Sequence, residues 1–360
     1  QSAGRKANGH FQMKKNLVVI GYGGMGGGFH VKNALKSDVV NLLGIYDTDP
    51  EKQKKAVENG LYSYSSLDEV IADERVDMVT VAIPNDSHLE TVVRCLEGGK
   101  NVLCEKPVAM SSAELEEMIA ASKKSGKIFS VHQNRRWDVD FLAMKEIYNS
   151  GAVGEVFDIE SRIHGSRGIP SDWRCLKAHG GGMMLDWGVH LIDQILQIVN
   201  SPVKSVYCET EHITTSEVDD GFKLHLKFEN GCRALIEVGT YNFIPMPRFY
   251  MRGKKGTALI RDWRENAQVV ECTHWNESEV LPVETAAGLT KTMAPRDELT
   301  TKSYEWSRPA SDVHDYYRNF TAAIDGKEEQ LVTHEQMLRV MRLMEAALDS
   351  GEKNAVVAFE

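Results

Sequence analysis

The chain has 360 residues, of which 42% are hydrophobic and 26% charged, and its formal net charge is −10. This length exceeds what one hydrophobic core usually supports, so we expect two domains. The negative charge and the scattered basic residues argue against nucleic-acid binding, and no apolar run approaches the roughly 18 residues of a membrane span. The cysteines form no paired motif and favour reduced thiols, as in a cytoplasmic enzyme.

The first part of the chain alternates apolar runs with segments of helical length. Residues 1–12 are polar and lack the apolar core of a signal peptide, so we interpret them as a cloning remnant or a disordered arm. From residue 13 onward the pattern predicts strands at 17–20, 42–46, 78–82, 101–104 and 128–131 and helices at 50–59, 88–98 and 112–125. This alternation predicts an α/β Rossmann domain at 13–135, with a parallel sheet covered by helices on both faces.

The second part, 136–360, has longer alternating segments joined by polar turns. The pattern predicts strands at 203–211, 221–228 and 232–238, helices at 185–199, 311–324 and 333–348, and a surface excursion at about 276–306. It is typical of an α+β domain with a large, mostly antiparallel open sheet. Thr333 and Gln336 fit a capping box at the start of the last helix, which is a candidate to pack back on the first domain. An open sheet needs a covered face, so we expect homo-oligomers formed through it.

A glycine-rich turn follows the first predicted strand. Gly21, Gly23 and Gly26 have the spacing of a dinucleotide fingerprint, and Asp47 follows the next strand. In such units the glycines permit the tight turn, the approach of the pyrophosphate and close helix packing, and the acidic residue binds the ribose hydroxyls. Its charge would repel a 2′-phosphate, which favours NAD over NADP, although Asp47 could also be a solvated turn residue. The expected cofactor contacts here are Gly21, Gly23, Gly24, Met25, Gly26 and Asp47.

Three further motifs carry a resemblance to a known family. Pro84-Asn85-Asp86-Ser87-His88 and Glu105-Lys106-Pro107 follow successive strands, and GGGMMLDWGVH occupies 180–190. With the glycine-rich turn, in this order and spacing, they resemble the Gfo/Idh/MocA family, which includes glucose-fructose oxidoreductase and inositol 2-dehydrogenase. The resemblance runs from about residue 14 to the C-terminus. It implies a Rossmann domain, an α+β domain, and NAD-dependent oxidation of sugars, glycosides or cyclitols.

The resemblance also implies a catalytic group of Lys106, Asp186 and His190. Asp186 and His190 are four residues apart, so on a helix they share one face, and Asp193 follows on the same side. A histidine suits removal of a proton from a secondary hydroxyl, and Lys106 can donate to the same oxygen. Asp186 would hold a neighbouring hydroxyl.

Other residues are expected around this group. The cofactor contacts assigned by the resemblance and by strand-end position are Pro84, Asn85, His88, Glu105 and Lys106. The substrate contacts are Lys106, Gln133, Arg135, Trp173, Arg174, Asp186 and His190. His88 could equally cap its helix, Trp173 and Arg174 could anchor a packed loop, and one of Arg135 and Arg136 is expected to be only a domain-interface ion pair. No metal is expected at Asp186, His190 and Asp193, because hydride transfer to nicotinamide needs none.

Three functions are compatible with these residues. The leading hypothesis is reversible NAD-dependent oxidation of a ring secondary hydroxyl in a sugar, glycoside or cyclitol, with glycoside 3-oxidation and inositol oxidation both open. The second is a glycosidase that holds NAD tightly and oxidises its substrate transiently to eliminate the aglycone. The third is a catalytically silent NAD-binding regulator. NAD could exchange between turnovers or stay tightly bound.

Overall fold

The computed structural model of the chain describes residues 13–275 and 280–359. The segment 1–12 and the first residues of the predicted excursion lie outside this part. The described chain forms two compact units, one of residues 13–132 and 312–338 and the other of residues 133–311 and 339–359. The domain ranges predicted from the sequence were continuous, whereas the first unit also takes in residues 312–338.

The first unit is built on a parallel sheet with the strand order β2-β1-β3-β4-β5. Its strands are β1 (Lys15–Ile20), β2 (Val40–Tyr46), β3 (Met78–Val81), β4 (Asn101–Cys104) and β5 (Phe129–Val131). Every residue of β3, β4 and β5 is buried, which is typical of parallel strands covered on both faces. The predicted α/β Rossmann fold is confirmed.

Helices link these strands. They are α1 (Lys32–Ala34), which continues a wide π-type segment at Gly26–Val31, α2 (Pro50–Glu58), α3 (Leu67–Ala72), α4 (His88–Glu97) and α5 (Ser112–Ser125). Asp49, Ser66 and Ser111 each accept a hydrogen bond from a backbone N–H of the first turn of α2, α3 and α5. Helix α3 was not predicted, because six residues are too few to display a helical period.

The second unit is built on a nine-stranded sheet with the order β15-β12-β11-β10-β6-β9-β8-β7-β16. The strands are β6 (Val156–His164), β7 (Val203–Glu211), β8 (Gly221–Phe228), β9 (Arg233–Gly239), β10 (Phe249–Gly253), β11 (Gly256–Ile260), β12 (Ala267–Cys272), β15 (Thr301–Trp306) and β16 (Val357–Ala358). All pairs are antiparallel except β6 with β9. The predicted large, mostly antiparallel sheet is confirmed.

The predicted excursion after β12 contains more structure than its weak periodicity indicated. The strands β13 (Val283–Thr285) and β14 (Gly288–Thr290) form a separate hairpin, and β15 then pairs with β12 at the edge of the large sheet. Strands of three residues are too short to show alternation, which explains why they were missed.

Four further helices complete the two units. They are α6 (Val139–Ser150), α7 (Val189–Ile198), α8 (Asp315–Ile324) and α9 (His334–Lys353). The predicted capping box is confirmed, because the backbone nitrogen of Thr333 lies 3.2 Å from Oε1 of Gln336 and the backbone nitrogen of Gln336 lies 3.3 Å from Oγ1 of Thr333. Across 13–275 and 280–359, no helix has both the length and the apolar character needed to cross a membrane.

Candidate functional site

The glycine-rich turn connects β1 to the helical segment at Gly26–Val31. Gly21 has a φ of +98°, and a Cβ atom there would overlap the carbonyl oxygen of Ala82. A Cβ atom on Gly26 would overlap the carbonyl oxygen of Gly21. Among the described residues, no neighbouring atom lies within 4 Å of the position that a Cβ atom would take on Gly23 or Gly24. The backbone is therefore closely packed at Gly21 and Gly26 and open at Gly23 and Gly24, as the approach of a pyrophosphate requires.

Asp47 stands directly after β2 and is buried. Its Oδ2 accepts a hydrogen bond from the backbone nitrogen of Tyr22 at 2.7 Å, and its Oδ1 accepts one from the backbone nitrogen of Asp49 at 2.9 Å. The amino group of Lys52 lies 3.7 Å from Oδ2. These residues fit a dinucleotide. Lys52, which was not predicted, is a cation that could bind a 2′-phosphate.

Glu105, immediately after β4, accepts hydrogen bonds from two buried histidines. His30 Nε2 lies 2.7 Å and His132 Nδ1 lies 2.9 Å from the same oxygen, Oε1. The other oxygen, Oε2, accepts a hydrogen bond from the backbone nitrogen of Lys106 at 3.1 Å. The Glu105 side chain thus links the backbone at Lys106 to a helix and to the end of β5.

The hydrogen bonds continue from His30 to Tyr317 and Thr80. The Tyr317 hydroxyl lies 2.9 Å from His30 Nδ1 and 2.7 Å from Thr80 Oγ1. Burial lowers the pKa of His30. Burial opposes ionisation of Glu105, yet the adjacent His132 and His30 bring its pKa well below its usual range. A neutral His30 then donates from Nε2 to the Glu105 carboxylate and accepts at Nδ1 from Tyr317, which in turn accepts from Thr80.

His30, Glu105 and His132 each present a potential metal-ligating atom, and these atoms lie within 4.8 Å of one another. Their types suit zinc, but the carboxylate already receives a hydrogen bond from each imidazole, which satisfies the buried groups. This cluster was not predicted, because the fold, not sequence proximity, brings the three residues together. The available signal was that Glu105 and His132 each follow a strand directly.

His88 begins α4 and is fully buried. Its Nδ1 lies 3.1 Å from the carbonyl oxygen of Pro107 and 3.2 Å from that of Val108, and its Nε2 lies 3.0 Å from that of Ile83. The ring therefore ties the loop after β3 to the loop that carries Lys106. Of the other residues predicted to contact the cofactor in these loops, Pro84 is exposed, Asn85 is buried and Lys106 is partly exposed.

In the second unit, the glycine-rich run leads into the helix that carries Asp186 and His190. Gly182 has a φ of +104°, and a Cβ atom there would overlap Oδ1 of Asp219. Oδ2 of Asp219 accepts a hydrogen bond from the backbone nitrogen of Met184 at 2.7 Å. Asp219 therefore fixes the start of the π-type segment Met184–Gly188 that continues as α7. Asp219 was not predicted, because it lies in a loop without periodicity.

Asp186 is buried and paired with an arginine. Its Oδ2 lies 3.1 Å from Nε of Arg174, whose Nη1 lies 2.7 Å from Asp172. The Arg174 guanidinium also lies 4.6 Å from the centre of the Trp173 ring. Trp173 and Arg174, both predicted to contact the substrate, therefore belong to one cluster with Asp186.

His190 lies four residues after Asp186 and is 4% exposed. Its Nδ1 lies 3.1 Å from Oε1 of Gln133. Because an amide oxygen only accepts, Nδ1 carries the hydrogen, and the neutral ring has its lone pair on Nε2. The ring thus has the tautomer of a base that acts through Nε2.

Asp193 and Arg135 have partners of their own in this unit. Asp193 receives two hydrogen bonds from Arg136, at 2.6 and 2.7 Å, and both side chains are buried. Arg136 is thus an ion-pair residue, as expected for one of the two arginines, but its partner lies in the same unit. Arg135 donates to Asp138 at 2.9 Å and lies 4.4 Å from the centre of the Trp187 ring.

The sequence-predicted site residues thus fall into two groups. The first unit carries the cofactor-binding candidates at the carboxyl ends of its parallel strands, where ligands bind in such sheets. The second unit carries Gln133, Arg135, Trp173, Arg174, Asp186 and His190, which form linked clusters around the start of α7.

Comparison with known proteins agrees with this architecture. Residues 15–133 match the GFO/IDH/MocA model described as an oxidoreductase family with an NAD-binding Rossmann fold, and residues 141–259 match the GFO/IDH/MocA C-terminal domain. The structure of an NAD-binding protein from Listeria innocua is 46% identical, with a TM-score of 0.92, and the match covers 96% of this chain and 99% of that chain.

Two curated relatives are similar over different extents. An uncharacterized oxidoreductase of Schizosaccharomyces pombe is 35% identical over 185 residues, and the chain spans 50% of the length of that relative. The scyllo-inositol 2-dehydrogenase (NADP(+)) IolW of Bacillus subtilis is 26% identical over 95% of each chain. With a matching dinucleotide-binding domain, a matching second domain and a relative of 46% identity along nearly its whole length, the chain belongs to the Gfo/Idh/MocA family of oxidoreductases.

Proposed function

We propose that the protein is an NAD-dependent dehydrogenase acting on a ring secondary hydroxyl of a sugar, glycoside or cyclitol, with position 3 of glycosides as one candidate. The carbinol carbon loses a hydride to nicotinamide, and the hydroxyl loses its proton to the protein, which leaves a ketone, NADH and a proton. The reverse reaction reduces the ketone.

The tautomer of His190 carries this proposal. The hydrogen bond from Nδ1 to Gln133 leaves Nε2 as the basic atom of the neutral ring. A histidine in this state is suited to accept the hydroxyl proton near neutral pH. Asp186, held by Arg174, is proposed to accept a hydrogen bond from a neighbouring hydroxyl of the ring.

Lys106 is proposed to donate to the reacting oxygen. The contact between its backbone nitrogen and Glu105 supports a fixed conformation of this loop. A positive charge at the oxygen stabilises the alkoxide character that develops as the proton leaves. The presence of Lys106, Asp186 and His190 favours an enzyme over a silent NAD-binding regulator.

Asp47 supports NAD as the preferred cofactor, because an acidic residue after the second strand of such a unit binds the ribose hydroxyls. Lys52 and the NADP(+) specificity in the name of the Bacillus relative are arguments for the other dinucleotide. NAD release on denaturation of the purified protein, measured by chromatography, distinguishes a tightly bound from an exchanging cofactor.

The substrate class rests on relatives as well as on the site. The Bacillus relative is named as an inositol dehydrogenase, and other relatives include a myo-inositol 2-dehydrogenase of Thermotoga maritima. Polar groups at Asp186 and His190 beside the Trp173 and Trp187 indoles suit a ring with hydroxyl edges and apolar faces.

One experiment tests the proposal. Sugars, glycosides and inositols are incubated with the protein and NAD or NADP, and products are identified by mass spectrometry and by the position of the new carbonyl. We expect a ketone and stoichiometric NADH, and loss of at least 10²-fold in kcat for His190→Ala and Lys106→Ala. Unchanged turnover in the double variant rules out the proposed site. Release of an aglycone without net ketone identifies the glycosidase instead.

We also propose that copies of this chain associate through the large sheet. Along β8 the side chains alternate, with Leu224 and Leu226 buried and Lys223, His225 and Lys227 exposed. The exposed side of this strand is a candidate interface between copies. Light scattering that gives the mass of a single chain at micromolar concentration would refute this association.

A further inference from the structure

Two tryptophans and an arginine meet beside His190. The centre of the Trp187 ring lies 6.0 Å from that of His190, in an edge-on arrangement, and 6.1 Å from that of Trp263. The Arg135 guanidinium lies 4.4 Å from the centre of the Trp187 ring and 5.8 Å from that of Trp263. The two indoles are inclined by 37° and form a shallow aromatic surface, which we call the indole platform.

The outer indole of the platform is exposed yet held on an ordered turn. Trp263 is 41% exposed and lies between β11 and β12. In this turn Asp262 accepts hydrogen bonds from the backbone nitrogen of Arg264 at 3.0 Å and from its guanidinium at 2.7 Å. A large aromatic side chain on a constrained turn can stack on a ligand at a low cost in conformational entropy.

The charge at the platform is already paired. Nη1 of Arg135 donates to Oδ2 of Asp138 at 2.9 Å. Arg135 lies over both indoles and its charge is offset by this ion pair, so the remaining indole surface suits a neutral ring better than a carboxylate or a phosphate. Indole faces bind the C–H faces of sugar rings and other aromatic rings.

Trp187 contacts both His190 and Trp263, so the centres of these two rings are separated by no more than the two centre-to-centre distances together. A second ring linked to a sugar bound at His190 is therefore within reach of the exposed Trp263 indole. We propose that the indole platform is a subsite for the second ring of a neutral glycoside. The substrate is then a glycoside rather than a free monosaccharide or cyclitol, an inference that rests on the proposed function.

The test compares one-ring and two-ring substrates that share the reacting sugar. Glucose, cellobiose and phenyl β-glucoside, together with the corresponding galactose, lactose and phenyl β-galactoside, are assayed by nicotinamide reduction. In Trp263→Ala we expect kcat/KM to fall about tenfold for the two-ring substrates, mainly through KM, and less than twofold for the free hexose. Trp263→Phe retains an aromatic face and should give a smaller loss.

Trp275 provides a matched control. It is 67% exposed, and the Arg296 guanidinium lies 4.3 Å from the centre of its ring. Trp275→Ala should leave both substrate classes unchanged. An equal loss for hexose and glycoside in Trp263→Ala, or the same glycoside loss in Trp275→Ala, overturns the subsite. A change of oligomeric mass in Trp263→Ala also overturns it and assigns Trp263 to a contact between copies.

Binding without turnover separates this inference from the proposed function. Calorimetric titration of phenyl β-glucoside into His190→Ala, with NADH present, should give saturable binding that weakens about tenfold when Trp263→Ala is added. Such binding in a protein that oxidises no carbohydrate retains the subsite and rejects the dehydrogenase. Oxidation of carbohydrates with binding insensitive to Trp263 retains the dehydrogenase and rejects the subsite.

Discussion

Oε1 of Gln133 lies 3.1 Å from Nδ1 of His190, and Nε2 of the same amide lies 3.3 Å from the carbonyl oxygen of Val189. The second contact orients the amide, because only its nitrogen can donate to a carbonyl. Gln133 therefore determines which nitrogen of His190 carries the hydrogen. It is a positioning residue for the base proposed above.

Replacing this neutral amide with a carboxylate should move the pH profile. In Gln133→Glu a negative charge beside Nδ1 stabilises the imidazolium, so the pKa of His190 rises and the base stays protonated to higher pH. We expect the acidic limb of the kcat/KM profile to shift upward by about one pH unit. The profile is measured with the best substrate of the carbohydrate panel.

Gln268→Glu makes the same change of amide to carboxylate on β12 and serves as the control. Its pH profile should match that of the wild type. If the acidic limb of the kcat/KM profile does not shift in Gln133→Glu, although circular dichroism shows an intact fold, then protonation of His190 does not determine that limb. Gln133→Leu should lower kcat by about tenfold without the shift, because it removes orientation but adds no charge.

Cofactor preference should respond to Asp47 and Lys52 in opposite directions. Asp47→Asn removes the charge that disfavours a 2′-phosphate, so the ratio of kcat/KM for NAD over NADP should fall by about tenfold or more. Lys52→Ala should lower kcat/KM for NADP and leave that for NAD within about twofold. Steady-state kinetics with both dinucleotides measure these ratios.

Asp49→Asn is matched to Asp47→Asn, because asparagine preserves the helix cap at this position. Its cofactor ratio should equal that of the wild type. A ratio that does not change in Asp47→Asn would show that Asp47 serves only the turn through its bonds to Tyr22 and Asp49.

The buried hydrogen bonds that join Thr80, Tyr317 and His30 should contribute to stability through the Tyr317 hydroxyl. Tyr317→Phe removes the group between Thr80 and His30, and burial leaves little access to water as a replacement. We expect a loss of about 1–3 kcal/mol in the free energy of unfolding. Urea denaturation of the purified protein measures it.

Tyr46→Phe, at a half-buried position on β2, should cost less than half as much. If the two variants lose equal stability, the hydrogen bonds of the Tyr317 hydroxyl stabilise the fold no more than the Tyr46 hydroxyl does. If Tyr317→Phe also lowers kcat, the Glu105 network contributes to the conformation of the loop at Lys106.

The five strands of the parallel sheet were predicted, but of the nine strands in the large sheet only β7, β8 and β9 were. The reason is local. Residues 203–211 and 221–228 were predicted as strands and coincide with β7 and β8, because alternation over eight or nine residues is unambiguous. The helices α3 and α6 and the strands β6 and β10 to β16 were not predicted. Of these, α3, β13 and β14 are shorter than the period that would reveal them. Apart from the suggested return of the last helix, the inclusion of 312–338 in the first unit was not predicted, because it depends on packing that no local pattern encodes.

The candidate site was predictable to the extent that its residues belong to contiguous motifs. Asp186 and His190 lie in one run, and Glu105 and Lys106 are adjacent, so family resemblance was enough to select them. The supporting residues were not visible, because Asp219, His30 and Tyr317 act through contacts made across 35, 75 and 287 positions of sequence. The sequence likewise did not distinguish Trp263 from the other tryptophans, of which the chain has six in all. Its position beside Trp187 is known only from the structure.

The contribution of Asp219 to the free energy of unfolding should change with pH in a definite direction. Burial raises the pKa of its carboxyl from 3.8 to about 6. Between these two values the folded state binds more protons than the unfolded state, so the stability contributed by this group is largest below pH 4 and is lost as the pH rises through 6. In Asp219→Asn the side chain is neutral throughout and its oxygen can still accept from Met184.

The stability of Asp219→Asn relative to the wild type should therefore rise with pH, by up to about 3 kcal/mol between pH 4 and 7. Unfolding midpoints of both proteins at several pH values give this difference. Groups that titrate in both proteins contribute equally and cancel in the difference. Glu74→Gln, at an exposed position, should show a difference near zero at every pH. A relative stability that falls with pH would mean that the fold stabilises the Asp219 carboxylate, in which case its charge, and not only its oxygen, holds the start of the helix that carries Asp186 and His190.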